Sequence, residues 1–226
     1  MGRNLLLEQF NCLTDYAVES LNTVDLGKIR TFFNAMPVDP YLAGRYRSRR
    51  LSRFQILHHK VHRLDHQPLF QSKAYNPLLG DVYREFAELE EGLVQLPDFH
   101  KILLEFFEFC RLCSDHQEIG VHQIRTLSSP FEVGQPAPEG IHRDGVDLVG
   151  IFSVTRDHIY GGETSLYRDK SSDPIFTKIL NPGELCVFND HQFFHYTTDI
   201  HVTPPAPEGL RDVFVLTCPG LTPPTP

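Results

Sequence analysis

The sequence predicts an α+β fold with an antiparallel β-core, a sandwich or a barrel, and helices packed on one of its faces. The prediction depends on a change of pattern near residue 123. After it, short runs rich in β-branched and aromatic residues alternate with Gly, Pro, Asn and Asp, and no helical periodicity separates them. Before it, apolar residues recur at helical spacing. A chain of 226 residues is long enough to bury one such core.

The first part of the chain, about residues 1–118, is expected to be rich in helix and to include an early strand. Arg45, Arg47 and Arg49 alternate with other residues, which favours an edge strand with its arginines in solvent. One helix is predicted after the N-cap Asp81, on the apolar positions Val82, Phe86, Leu89 and Leu93. A second helix is predicted to begin at Pro97 and to bury Ile102, Leu103, Phe106, Phe107 and Cys110.

The β-core is predicted over about residues 119–217. Turn residues divide this region, among them Gly161-Gly162 and Asn181-Pro182-Gly183. The strands are expected at 123–127, 148–155, 164–167, 175–179, 185–188, 193–197 and 211–217. The Pro-rich residues 218–226 are expected to form a flexible tail, and residues 1–226 a single domain.

Composition narrows the classes of partner and location. The formal net charge of -8 argues against nucleic acid or an anionic membrane as the main partner. No apolar run approaches the roughly 20 residues of a membrane span, and the first residues lack a secretory pattern. The five cysteines are odd in number and widely spread, so reduced thiols and a cytoplasmic location are expected. Cys110 and Cys113 fall within an apolar helical pattern and are expected to be core thiols.

Metal binding is predicted from histidine and carboxylate spacing. Twelve histidines and 29 acidic residues produce roughly 1.5 His-x-Asp/Glu matches by chance, and two occur, so context must decide between them. His116 and Glu118 lie in a polar stretch that a solvated helix end explains. His142 and Asp144 follow a Pro-Glu-Gly turn and precede a long strand. In extended backbone these two side chains project to the same face and can converge on one ion.

A third ligand is expected from a late strand, since two imidazoles and one carboxylate would form a facial triad. Such a triad leaves positions on Fe(II) open for an organic acid and oxygen. His191, His195 and His201 are the candidates, and His195 is favoured because it lies within a predicted strand. Arg211 opens the last strand, where its planar guanidinium could bind the far carboxylate of that acid.

The order of these elements resembles a known family. The series is Pro-Glu-Gly-Ile-His-Arg-Asp-Gly-Val-Asp, then Ile159-Tyr-Gly-Gly-Glu-Thr, Asn-Pro-Gly-Glu-Leu-Cys-Val-Phe-Asn-Asp, Phe194-His195 and Arg211-Asp-Val-Phe-Val-Leu-Thr. Over about residues 40–217 it resembles the bacterial 2-oxoglutarate/Fe(II) dioxygenases that include L-isoleucine 4-hydroxylase and relatives acting on free amino acids. The arginine-rich residues 45–53 resemble a segment that opens this family's domain.

The resemblance implies a double-stranded β-helix, or jelly-roll, with His142, Asp144 and His195 as iron ligands and Arg211 as the 2-oxoglutarate anchor. It also implies Fe(II), 2-oxoglutarate and O2 as cofactor and co-substrates, and hydroxylation or sulfoxidation of a small free L-amino acid, with release of succinate and CO2. Two features depart from the wider superfamily. Val213 stands where a hydroxyl residue is common, and the spacing from His195 to Arg211 is long, which keeps His201 as a rival ligand.

Substrate contacts are predicted from charge. A free amino acid requires a cation for its carboxylate and an anion or carbonyl for its ammonium. Arg125 and Glu132 are the candidates for these contacts, whereas Arg156 and Glu163 are as well explained by a salt bridge around the Gly-Gly turn.

Two other classes of function stay open. One is a metal-dependent isomerase or epimerase of the cupin type, although such enzymes usually have more histidine ligands and need no anchoring arginine. The other is a non-catalytic stress-response binding module on the same barrel, which the intact His-x-Asp, His and Arg series disfavours.

Overall fold

A computed structural model describes residues 16–222 of the chain. Within that range it contains three α-helices, one 3-10 turn and twelve strands. The helical elements are α1 (Leu26–Arg30), the 3-10 turn Thr31–Phe33, α2 (Glu91–Val94) and α3 (Pro97–Cys113). The strands are β1 (Tyr16–Ser20), β2 (Arg47–Leu57), β3 (Lys60–Arg63), β4 (Glu118–Ser128), β5 (Leu148–Asp157), β6 (Ile159–Gly161), β7 (Thr164–Tyr167), β8 (Phe176–Lys178), β9 (Glu184–Asn189), β10 (Phe194–Thr197), β11 (Ile200–Val202) and β12 (Gly209–Cys218).

The strands form two layers, and their pairings are antiparallel. One layer is a seven-stranded sheet in the order β1-β9-β5-β12-β4-β2-β3. The other consists of the three strands β10-β7-β8 and the pair β11-β6. A buried apolar cluster between the layers joins Leu166 and Phe193 to Ile151 and Val213 of the large sheet. The predicted α+β jelly-roll is confirmed, and so are the seven strands predicted after residue 122, with bounds shifted by a few residues.

Helix α3 covers the opposite face of the large sheet, as the sequence predicts. It begins at Pro97 and packs against β5 and β9. All five residues expected to face the core are buried, and Phe99 joins them. Gly150 of β5 allows the helix to approach closely, because a Cβ atom there would lie 2.7 Å from Cδ2 of Phe106. The helix therefore occupies one face of the sheet and leaves the other face for the smaller layer.

The helix predicted after Asp81 is wrong. Asp81 has a left-handed φ of 60°, and the following chain runs as an extended segment in which Arg84 pairs with Leu69. Phe86 packs in a small separate cluster with Leu51 and Leu69, while only residues 91–94 form the short helix α2. The apolar residues recur at helical spacing because this extended segment packs its side chains against different apolar clusters one after another. In so short a stretch, the spacing alone does not distinguish such a segment from a helix.

The part of the chain before residue 118 is less helical than expected, because it supplies three strands to the large sheet. The predicted early strand is present as β2, but it is not an edge strand, since β4 and β3 pair with its two sides. Arg47 and Arg49 are consequently buried, with 6% and 9% of their surface exposed. Their alternation points them into the space between the layers rather than into solvent.

The end of the described chain is held against the sheet. Cys218, expected to begin a flexible tail, is the buried last residue of β12, and the Leu221 carbonyl accepts a hydrogen bond from the Phe70 amide (3.3 Å). Residues 223–226 of the predicted tail lie outside the described residues, as does Cys12. The other four cysteines are free thiols, and burial raises the pKa of Cys110 well above its usual value, consistent with a core role. None of the helices in residues 16–222 has the length and hydrophobicity of a membrane span.

Candidate active site

Two histidines and one aspartate converge beside the cavity between the layers. His142, Asp144 and His195 each offer one ligand atom, and these atoms lie within 4.8 Å of one another. Nε2 of His142 is 3.8 Å from Oδ1 of Asp144, and Nε2 of His195 is 3.8 Å from Oδ2. Within residues 16–222 no other group of three or more His, Cys, Asp or Glu residues is arranged in this way. Two nitrogens and one oxygen with a free side are the donor set that suits Fe(II) with open positions.

Backbone pairing explains how distant parts of the chain meet here. His195 lies in β10, and it exchanges two backbone hydrogen bonds with His142, of 3.1 and 2.8 Å. His142 thus behaves as one residue of a strand beside β10, and Asp144 follows two positions later on the same side. Arg143 points away, with its guanidinium 4.0 Å from the ring centre of Phe194. The expected i and i+2 alternation is therefore observed.

Hydrogen bonds orient the His142 ring. Its Nδ1 donates to the Gly140 carbonyl at 2.8 Å, so the proton of the neutral ring is on Nδ1 and Nε2 carries the free lone pair. Glu139 lies on the other side, with Oε1 3.3 Å from that Nε2. A metal ion bound to Nε2 would therefore have a carboxylate close to it that is not one of the three converging ligands.

Asp190 holds the turn that follows Asp144. Its carboxylate accepts hydrogen bonds from the amides of Asp144 (3.1 Å), Gly145 (2.7 Å) and Val146 (3.2 Å). Gly145 has a φ of 84°, a left-handed conformation that glycine adopts without strain. Burial, followed by the charge of Asp144, raises the pKa of Asp190 to about 7.

Gln71 positions the Asp144 carboxylate from the opposite side. Its Nε2 donates to Oδ1 of Asp144 at 2.9 Å. Its Oε1 accepts from Nη2 of Arg84 at 2.7 Å and from Nδ2 of Asn76 at 3.3 Å. The two donors on Oε1 determine the orientation of the amide, so its NH2 group must face the carboxylate. This relay is of the kind that orients metal ligands in proteins.

The two histidines titrate differently. Burial, followed by the neighbouring His142, lowers the pKa of His195 well below its usual value, so its ring is neutral and ready to bind a metal. Burial also acts to lower the pKa of His142, but the Glu139 and Asp144 carboxylates outweigh it and the net shift is upward. His142 therefore holds a proton more readily than His195 does, and a metal ion that binds His142 has to displace that proton.

The cavity beside these ligands is lined by three neighbouring strands of the large sheet. Alternate residues of β2, β4 and β12 face it, and Thr126 of β4 pairs with both Arg47 and Arg211. Four of the lining side chains are the arginines Arg47, Arg49, Arg84 and Arg211. The only carboxylates that line it are Glu139 and Asp144, within the described residues. The cavity thus suits a ligand with more than one negative group.

Arg211 lies on β12 and faces the cavity. It is 4% exposed, and its guanidinium forms no hydrogen bond or ion pair with another residue in 16–222. Burial, followed by the nearby Arg156, lowers its pKa to about 9, so it remains a cation near neutral pH. A buried guanidinium that faces a cavity without a partner is suited to bind a carboxylate entering from outside the chain.

The two predicted substrate contacts are not at the cavity. Arg125 is adjacent to residues that face it, so strand alternation turns its side chain to the other face of the sheet. There Arg125 makes a bidentate ion pair with Asp212, at 2.7 and 2.8 Å. Glu132 is exposed in the turn that begins at Ser129, where Oε1 accepts from the Arg45 amide at 3.4 Å. The structure therefore places neither side chain at the cavity, contrary to the expectation for a substrate contact.

The rival histidines lie elsewhere. His191 is largely exposed and contacts Asp147 at 3.0 Å, and His201 stacks on Tyr160 with ring centres 5.1 Å apart. His116 is exposed as expected, whereas Glu118 of the same motif pairs with Arg53 at 2.8 Å. His195 is thus the late histidine that the structure brings to His142 and Asp144.

The turn around Gly161 and Gly162 is held differently from the expectation. Arg156 donates to the Gly161 carbonyl at 2.6 Å, and the backbone amide of Glu163 donates to the hydroxyl oxygen of Thr198 at 2.9 Å. The Arg156 guanidinium thus contacts a backbone carbonyl, and no Arg156–Glu163 ion pair occurs among the described residues.

Sequence reasoning missed Gln71, Arg84, Glu139 and Asp190. The first two lie on an irregular segment with no periodicity that would orient them. Glu139 and Asp190 each stand within a few residues of a predicted ligand, in Pro-Glu-Gly and Asn-Asp turns. Glu139 and Asp190 could therefore have been found by examining the carboxylates in the turns next to the predicted metal ligands.

Comparison with known proteins agrees with this geometry. A family model described as 2OG-Fe dioxygenase matches residues 30–217. A curated relative, 3(1)-hydroxy-L-isoleucine 4-dioxygenase of Pantoea ananatis (strain AJ13355), is 22% identical over 156 residues. The match covers 66% of this chain and 63% of the relative, so the chain spans slightly less than two thirds of that protein's length.

Solved structures share the fold. The crystal structure of a bsmA homolog from Methylobium petroleophilum PM1 has a TM-score of 0.80 and 26% identity, and the match covers 96% of this chain and 92% of that one. IDO from Bacillus thuringiensis has a TM-score of 0.77 and 18% identity, with 95% and 97% covered. An Fe(II)/(alpha)ketoglutarate-dependent dioxygenase, TqaL, has a TM-score of 0.72 and 14% identity, with 95% and 85% covered.

Proposed function

This chain belongs to the 2OG-Fe dioxygenase family, and we propose that its substrate is a small free L-amino acid, which it hydroxylates or oxidises at sulfur. In this proposal His142, Asp144 and His195 hold Fe(II), and Arg211 binds the carboxylate of 2-oxoglutarate that is remote from the metal. When they are bound, Fe(II), 2-oxoglutarate and O2 would supply the oxidising chemistry: O2 and 2-oxoglutarate yield succinate and CO2, and one oxygen atom enters the substrate.

The donor set supports the metal assignment. Two buried imidazoles and a carboxylate oriented by Gln71 leave one side of the site facing the cavity. Asp144 occupies the carboxylate position, so all three protein ligands of the facial triad are present. Arg211 supports the co-substrate assignment, because its buried guanidinium has no partner among residues 16–222 and needs a carboxylate to balance it.

The charge of the cavity is the observation that carries the amino-acid proposal. Beyond Arg211, Arg49 and Arg84 form no ion pair with a carboxylate within residues 16–222, and Glu139 there forms none with Lys or Arg. A zwitterion presents a carboxylate and an ammonium, the two groups that such surroundings would bind. The relative named 3(1)-hydroxy-L-isoleucine 4-dioxygenase lends support through its own name.

In this proposal the protein positions the substrate near the metal ligands and excludes water from the cavity. Phe188 packs on the ring of His195 at 5.0 Å between centres, and the cavity walls include Ile151, Val213 and Val215. Apolar walls exclude water and hold an aliphatic side chain near the metal ligands. Glu139, close to Nε2 of His142, is placed to bind the ammonium group of the substrate on the metal side.

The test is a panel of L-amino acids with iron-loaded protein, 2-oxoglutarate and oxygen. We expect at least one member to stimulate succinate release and to gain the mass of one oxygen atom. Succinate release that no amino acid stimulates would contradict the substrate class. Protein that converts no 2-oxoglutarate, although it is folded and binds iron, would contradict the assignment of this site as an oxygenase.

A further inference from the structure

Three side chains that neither ligate the metal nor bind 2-oxoglutarate in the proposed function meet on one wall of the cavity. Arg49 is on β2, His122 is on the neighbouring strand β4, and Arg84 lies on the segment before α2. Their exposed fractions are 9%, 1% and 2%. Burial of two guanidiniums and an imidazole in one place is costly unless each finds a partner.

The hydrogen bonds of this wall are incomplete. Nη2 of Arg49 donates to Nδ1 of His122, so the imidazole is neutral and carries its proton on Nε2. Burial, followed by the charge of Arg49, accordingly lowers the pKa of His122 well below its usual value. That Nε2, together with Nε of Arg49 and Nε of Arg84, has no hydrogen-bond acceptor in the described structure. Three buried donors around one cavity thus lack an acceptor.

The two guanidiniums of this wall form no direct ion pair, although the Glu139 and Asp39 carboxylates act on both from a longer distance. Arg47, next along β2 on the same face, is paired with Asp39 at 3.0 Å. Arg49 and Arg84 have no such carboxylate in residues 16–222, since Arg84 donates to the neutral amide of Gln71 and Arg49 to the neutral His122. Arg49 also packs over the Phe86 ring at 4.7 Å, which holds it in place without neutralising it.

This wall is separate from Arg211. Arg49 is opposite Ile124 on β4, and Ile124 is opposite Val213 on β12, so the apolar side chain of Ile124 stands between the arginine of β2 and the last strand. Adjacent strands are about 4.8 Å apart, so β2 and β12 are separated by roughly 10 Å. Two carboxylates can therefore bind without sharing a guanidinium.

We propose that Arg49, Arg84 and His122 form a second carboxylate site, which binds the α-carboxylate of the organic substrate while Arg211 binds 2-oxoglutarate. This inference rests on the proposed function and makes it more specific. A substrate held in this way must have a free carboxylate, so amides, esters and residues inside a peptide are excluded. Three donors with fixed geometry would distinguish a planar carboxylate from a carboxamide, which cannot accept from all of them.

The test compares Arg49→Met with Arg50→Met. Methionine keeps part of the packing on Phe86 and removes the charge. Arg50 is adjacent on the same strand but faces the other way, with hydrogen bonds to the Glu88 carbonyl and to Glu90, so its loss controls for the removal of one charge. Each protein is assayed with the most active member of the amino-acid panel and with the corresponding amino-acid amide.

For Arg49→Met we expect a rise in KM for the amino acid of roughly 10- to 100-fold, the size expected for a charge-assisted hydrogen bond. The wild-type preference for the acid over the amide should shrink by a similar factor. The KM for 2-oxoglutarate and the absorption band of the anaerobic Fe(II)–2-oxoglutarate protein should not change, which also reports that the site is folded. Arg50→Met should resemble the wild type.

Other outcomes overturn the inference, and they do so in distinguishable ways. Loss of the 2-oxoglutarate band in an Arg49→Met protein that unfolds cooperatively and still retains one equivalent of iron would assign this guanidinium to the co-substrate and leave the proposed substrate class intact. An unchanged KM with an unchanged preference for the acid would show that no carboxylate binds there. If the wild type releases succinate but no amino acid stimulates it, the proposed substrate class fails, and the second site fails with it.

Discussion

Gln71 is the residue on which the orientation of Asp144 depends most directly. The side-chain NH2 group of Gln71 donates to the carboxylate, and its Oε1 accepts hydrogen bonds from Arg84 and Asn76. A ligand oxygen that is already hydrogen-bonded is held in one rotamer, so less order has to be imposed when a metal ion binds. The side chain thus acts on the metal through another residue and is a positioning residue.

We predict that Gln71→Leu lowers iron affinity by about 10- to 100-fold, the effect typical for loss of a group that orients a metal ligand. Leucine has a similar size but cannot donate to Asp144. The measurement is retained iron after dialysis against a graded chelator. Gln117→Leu, at an exposed position outside the cavity lining, is the control, and equal iron retention by the two variants would contradict the role of Gln71.

Strand β12 shows how one element serves two purposes through alternation. Arg211 faces the cavity, whereas its neighbour Asp212 faces the other side and pairs with Arg125 of β4. Asp212 is fully buried, and only 14% of the Arg125 side chain is exposed. One position along the strand therefore separates a side chain available to a ligand from one committed to the fold.

Substitutions at Arg211 and Asp212 should affect different quantities, the KM for 2-oxoglutarate in one case and the free energy of unfolding in the other. Arg211→Ala should raise the KM for 2-oxoglutarate by at least about 100-fold with the fold retained, because a buried carboxylate would lose its bidentate partner. Asp212→Asn should lower the free energy of unfolding by about 3 kcal/mol and leave that KM unchanged, because it leaves Arg125 without a counter-charge. Urea unfolding and steady-state kinetics on both variants separate the effects; an unchanged KM in Arg211→Ala would remove this residue from the site.

The contact between α3 and the large sheet depends on Gly150. We predict that Gly150→Ala lowers the free energy of unfolding by about 1–3 kcal/mol, because the added methyl group would meet the Phe106 ring. Iron binding should be retained, since the methyl group would face the helix and not the cavity. Thermal unfolding and iron content measure the two effects. A variant as stable as the wild type would show that Phe106 moves aside at little cost.

At the scale of the whole molecule, the two faces of the large sheet have different roles. One face of the large sheet and α3 bury the larger apolar cluster. The other face, opposite β7 and β10, combines a smaller apolar cluster with the arginine-lined cavity and the converging histidines. Stability and chemistry are thus placed on opposite faces of the same strands, and their alternation keeps the two sets of residues apart.

The same alternation explains how far sequence reasoning could go. The jelly-roll strands, α3 and the convergence of His142, Asp144 and His195 could be predicted, because strand periodicity, a proline start and the order of motifs are local or ordered properties of the chain. The structure places Arg211 at the cavity, and its role in binding 2-oxoglutarate stays a prediction. Arg125 was selected by its charge alone, and its place on the other face of the sheet could not be predicted, because a shift of one residue along a strand reverses the face. Gln71 and Arg84 could not be predicted, because their roles arise from contacts between an irregular segment and strands far along the chain.

The most direct measurement is the visible absorption of the anaerobic protein after Fe(II) and then 2-oxoglutarate are added. If His142, Asp144 and His195 bind one ferrous ion and Arg211 holds the co-substrate against it, a metal-to-ligand band should appear with one equivalent of each. It should be lost in His195→Ala and persist in His201→Ala. A folded wild-type protein that takes up iron at other residues, or shows no band at saturating 2-oxoglutarate, would contradict the central claim.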